Sequence, residues 1–100
     1  MPIFQSFWGN FILSKTITAA GTTTAQTINK PIGSVNFAAA DASKVVTNSL
    51  VTVNSVILCT IGTNDATMKD CQVVAASGSF TIFAGAVPTA ETCVNFIVIN

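Results

Sequence analysis

The side chains able to exchange a proton near neutral pH are few. They are the carboxylates Asp41, Asp65, Asp70 and Glu91, the amines Lys15, Lys30, Lys44 and Lys69, and the thiols Cys59, Cys71 and Cys93. There is no histidine, arginine or tyrosine. Two carboxylates across a cleft could hydrolyse a glycoside. Asp65 and Asp70 are the nearest pair in sequence, but no aromatic platform stands beside them. Asp65, in Thr63-Asn64-Asp65-Ala66, has instead the composition of a turn. A serine or cysteine nucleophile needs a base, and no histidine can serve. A Ser–Lys pair stays open, although no serine lies in a nucleophile elbow. Gly21, Gly33, Gly62, Gly78 and Gly85 form neither a dinucleotide fingerprint nor a phosphate loop. The thiols are too widely spaced for a CxxC knuckle and lack a histidine to complete a zinc set. Each falls where a strand is expected, as a small buried hydrophobe. Free thiols suit a protein folded in a reducing cytosol; the alternative is one disulfide with one thiol left over. The expectation is a protein without catalysis, cofactor or metal.

What must position these groups is a chain of 100 residues, 50% hydrophobic and only 8% charged, with a formal net charge of zero. Globular domains carry about 25% charged residues, which keep them soluble and apart. So little charge points to a part of an assembly. Four scattered lysines argue against nucleic acid, whose backbone needs clustered cations. No apolar run approaches the roughly 18 residues of a membrane span, and the N-terminus has no basic start of a secretory signal. One domain is expected, with residues 12–100 as its body. The abundance of Val, Ile and Thr favours sheet over helix.

Strands are expected at residues 15–19 and 23–28, joined by the turn Ala20-Gly21-Thr22, and again at 35–38 after the turn around Pro31 and Gly33. Residues 38–44 read as a loop. Residues 51–61 read as one long strand closed by Gly62-Thr63-Asn64-Asp65, with a return at 67–75. Ala76-Ser77-Gly78-Ser79 is the next turn, followed by alternation of Phe80, Ile82 and Ala84 with Thr81, Phe83 and Gly85. The last stretch, 93–100, is apolar on both faces and is expected to be a central, doubly covered strand. Six to eight short strands with regular turns indicate an all-β, antiparallel sandwich or jelly-roll-like domain. Val51, Val53, Ile57, Phe80, Ile82, Phe96 and Val98 form the expected core, with Phe96 and Val98 also candidates for an oligomer contact.

The first eleven residues hold Phe4, Phe7, Trp8 and Phe11, four of the eight aromatics. They could tuck into the domain's own core, or form an extended N-terminal arm docking on another subunit or protein; the arm is the expectation adopted. Four large rings bury on the order of 600–1,000 Å², a gross gain of roughly 15–25 kcal/mol. Ordering eleven residues opposes this by about 11–22 kcal/mol. A lone arm is near break-even, so several must act together.

The runs Asn48-Ser49-Leu50-Val51-Thr52-Val53-Asn54-Ser55, Thr63-Asn64-Asp65-Ala66-Thr67, Gly78-Ser79-Phe80-Thr81-Ile82, Pro88-Thr89-Ala90-Glu91-Thr92 and Val94-Asn95-Phe96-Ile97-Val98-Ile99-Asn100 resemble a β module of tailed-bacteriophage virion proteins. Such modules form the C-terminal, often trimeric, domains of head decoration proteins, head fibres and tail fibres or spikes. The resemblance covers about the last half of the chain and carries over no binding residue. With so few charges and a last strand apolar on both faces, a homo-oligomer is expected, most simply a trimer with C-terminal strands near its centre. Two roles follow: a capsid decoration (cement) protein bridging major capsid subunits through Phe4, Phe7, Trp8 and Phe11, or the receptor-binding tip of a tail fibre or spike. With no room for a shaft after Met1, decoration of the capsid exterior is expected, by a protein folded in the bacterial host cytoplasm.

Overall fold

The structure, a computed structural model, describes residues 14–100. The docking candidates Phe4, Phe7, Trp8 and Phe11 lie outside the described residues. Among the described residues, seven strands form two sheets: β1 (Gln26–Thr27), β2 (Ile32–Phe37), β3 (Ser43–Thr47), β4 (Val56–Ile61), β5 (Cys71–Ala76), β6 (Ser79–Ala84) and β7 (Thr92–Ile99). One sheet has the order β1-β3-β6-β5 and the other β2-β7-β4. All pairings are antiparallel except β1 with β3. The class is the all-β sandwich that the strand composition indicated.

Alternation places the core between the sheets. Val35 and Phe37 of β2, Val46 of β3, Phe80 and Ile82 of β6, and Val94, Phe96 and Val98 of β7 point inward and are buried. The rings of Phe80 and Phe96 meet edge to face at 4.9 Å, one from each sheet, an arrangement favoured by the ring quadrupoles. Gly33 stands opposite Phe96 in the β2–β7 register. Its missing side chain makes room for the ring, since a Cβ there would lie 2.7 Å from the tip of Phe96. The β5–β6 hairpin turns through Ser77 and Gly78, whose φ of +77° suits glycine.

Several expected elements are shorter or absent, because side chains outcompete the ladder for backbone groups. The strand expected over 51–61 is paired only from Val56. Before it, Asn48 Oδ1 accepts from Leu50 N–H, Ser55 Oγ accepts from Thr52 N–H, and Thr52 Oγ1 accepts from Asn54 N–H. The resulting turns bury Val51 but lift Val53 into solvent, 67% exposed, so Val53 is not a core residue. Ile57 is only partly buried, on the strand that borders its sheet. Of the strand expected at 15–19, only Thr16 bridges, to Gly33. There Asn36 Nδ2 gathers the carbonyls of Thr18, Ala19 and Thr22 at 3.0–3.3 Å, fixing a turn instead of a hairpin. The return strand shrinks to Gln26–Thr27.

β3 was not expected at all. Its inward face carries Lys44 beside Val46, and a lysine at a core position hides the alternation. The side chain is accommodated because its ammonium reaches Asp41 Oδ2 at 2.7 Å and the carbonyl of Thr23, while lying 5.8 Å from the Phe37 ring centroid.

Candidate functional site

The ionisable side chains were the first candidates for chemistry, and the fold uses most of them as fasteners. Asp65 is buried in the loop between β4 and β5. It accepts from the backbone N–H of Thr67 (2.9 Å) and Met68 (3.0 Å), and from both the N–H and the hydroxyl of Thr89. The backbone donors at Met68 and Thr67 hold its carboxyl far below the usual carboxylate range. It is a turn former, fixed as an anion that joins two loops. Asp41 is held low first by its hydrogen bond to Lys44 and then by the Ala38 N–H. Lys69 Nζ donates to Asn64 Oδ1 at 3.1 Å along an open groove of about 300 Å³ that also touches Ile61, Gly62 and Met68. Glu91 accepts from the Gly21 N–H at 2.8 Å. Among the described residues, no three of the His, Cys, Asp and Glu side chains are grouped to hold a metal.

The less ordinary feature is the outer face of the β2-β7-β4 sheet. Register puts Ile32, Ile97 and Leu58 in one row across the three strands and Ile99 beside Val56 in the next. These side chains are open to solvent: Val56 is 56%, Leu58 53%, Ile97 38% and Ile99 47% exposed. Between the rows and their polar neighbours Thr60 and Asn95 lies an apolar hollow of about 200 Å³, with Phe96 contributing to its lining. Lys15 borders it, its Nζ donating to Asn95 Oδ1 at 2.5 Å. The described chain thus begins beside this face.

This corrects the expectation for the last strand. β7 is central in its sheet, but only Thr92, Val94, Phe96 and Val98 are covered. Phe96 and Val98 face the core, so an oligomer contact through β7 would use Ile97 and Ile99. The signal was present in the sequence: 56–61 and 93–99 both carry apolar residues at successive positions, which a one-sided strand does not need.

No family model, curated protein or solved structure matches the chain.

Proposed function

We propose that the protein is a non-catalytic structural component of a tailed-bacteriophage virion, a head decoration protein that assembles as a homotrimer on the capsid exterior and bridges capsid subunits. The observation that carries the reading is the apolar outer face of β2-β7-β4, with Leu58 and Ile97 at its centre. Together with Val56 and Ile99 these side chains expose roughly 300 Å² of apolar surface, the size of the largest patch on a typical monomer, which is often functional.

Magnitude divides the labour. A stable interface buries about 800 Å² per partner, so this patch supplies less than half. The rings of Phe4, Phe7, Trp8 and Phe11 carry apolar area for a second, separate contact. In this reading the sheet face holds copies together with β7 toward a threefold axis, and the arms grip the major capsid protein. Several arms on one trimer must release together, which turns modest contacts into a clamp on the assembled shell. The virion itself is inferred from the resemblance of the runs at 48–55, 63–67, 78–82, 88–92 and 94–100. Unbridged thiols fit folding in the host cytoplasm.

Cryo-electron microscopy of virions, wild type and lacking residues 2–11, tests the proposal. Density for the sandwich on the head exterior that disappears with the deletion is the expected result. Density at a tail tip would reassign the protein to receptor binding, and density on the head that survives the deletion would discard the arm.

A further inference from the structure

We propose that Cys59 and Cys71 are a modification site: partners of an inter-sheet disulfide that forms when the protein meets a low-molecular-weight disulfide outside a reducing compartment. The pairing does not depend on where the protein assembles. It follows from topology. Among the described residues, β4 ends one sheet and β5 ends the other, each paired to a single neighbouring strand. The two strands run beside each other across the sandwich. Alternation turns both thiols to the interior, Cys59 between Ile57 and Ile61, Cys71 in line with Val73 and Ala75, and both pack on the core. There Cys59 is the neighbouring thiol of Cys71. Cys93 lies on the opposite face of its sheet, beside Gly62 and Asn95, and has no place in the pair.

The Cys71 thiol is a weak nucleophile for a physical reason. Burial, reinforced by the neighbouring Cys59 thiol and then by the charge of Asp70, pushes the Cys71 thiol up to about 12. Only a thiolate attacks a disulfide, and in the proposed route the attack begins at Cys59. Its sulfur displaces one glutathione thiolate from oxidised glutathione and forms a protein–glutathione mixed disulfide. Cys71, losing its proton to solvent, then attacks the Cys59 sulfur and expels the second glutathione thiolate. Two electrons pass from the cysteines to the glutathione disulfide, and the two protons end on the two glutathione thiols. The product ties β4 to β5 where no backbone ladder joins the sheets.

The test is exposure of the native chain to oxidised glutathione, then denaturation, thiol titration and peptide mapping, with Cys93→Ser as the background that removes the third thiol. The expected result is loss of two titratable thiols, a mass lower by two hydrogens, and one linkage between the peptides holding Cys59 and Cys71. The oxidised chain should melt higher, by on the order of 10 °C for so short a loop. In the Cys71→Ser variant a mixed disulfide should stop at Cys59. Unchanged thiols, a wild-type chain arrested as the glutathione adduct, or a bridge to Cys93 in the chain that retains it would each overturn the assignment.

Discussion

Gly33→Ala is a sharp test of the packing beneath the candidate face. Gly33 is within β2 and its φ is not positive, so alanine meets no backbone strain there. Its Cβ would fall 2.7 Å from Phe96 Cζ, 2.9 Å from Cε2 and 3.2 Å from Ile28 Cγ2. Carbon atoms prefer roughly 3.5–4.0 Å, so the ring must retreat by about 1 Å. Retreat is obstructed: Phe96 is buried and already meets Phe80 edge to face at 4.9 Å. Overpacking of this kind destabilises by about 1–3 kcal/mol. Replacing glycine stabilises by about 0.4–1 kcal/mol through the unfolded chain, leaving a net loss centred on about 1.3 kcal/mol. At this chain length the melting temperature should fall by roughly 5–10 °C. The assay is thermal unfolding of Gly33→Ala, Phe96→Leu and the double variant. The smaller leucine side chain in place of the ring should absorb the new methyl group, so the double variant should lose less than the sum of the singles. A Gly33→Ala protein as stable as wild type, or strictly additive losses, would show that Phe96 does not occupy the space over Gly33.

Ser34→Ala should be neutral or stabilising by up to about 1 kcal/mol in urea unfolding, because the buried Ser34 hydroxyl has no hydrogen-bond partner among the described residues. Ala40→Gly should raise the melting temperature slightly, since Ala40 has φ +71° and a left-handed alanine is strained by about 1–2 kcal/mol, partly offset by the entropy of glycine. Acid should destabilise the fold through Asp65 and Asp41. Their folded-state affinities for a proton are lowered by the Met68, Thr67 and Lys44 donors, so the stability they give is complete above about pH 4 and is lost as pH falls through their folded values. Urea midpoints that decline from about pH 4 toward pH 2, with a weaker decline in Asp65→Asn, are the expected outcome.

What could be read from the sequence depended on whether side chains or backbone decided the local structure. The β5–β6 hairpin was legible because Ser77-Gly78 and the alternation of Phe80 and Ile82 act in the same direction. Val53 was misplaced because Thr52 and Ser55 divert their backbone neighbours into a turn, which periodicity does not register. β3 was missed because Lys44 breaks the apolar pattern, and its partners Asp41 and Thr23 become visible only in three dimensions. The candidate face was half legible. A strand apolar on both sides, such as 93–99, can be covered by its own domain or by another chain, and the sequence pattern is the same in both cases. The folded chain covers Phe96 and leaves Ile97 and Ile99 open.

The most direct measurement of that face as an assembly surface is sedimentation equilibrium of the wild-type chain and a Leu58→Thr, Ile97→Thr double variant. Both replacements put a β-branched side chain on an exposed strand face, so the fold should persist with little change in melting temperature. The expected result is a wild-type trimer at micromolar concentration and a folded, monomeric variant. A wild-type monomer, or a variant that remains as associated as wild type, would contradict the proposed role of the face.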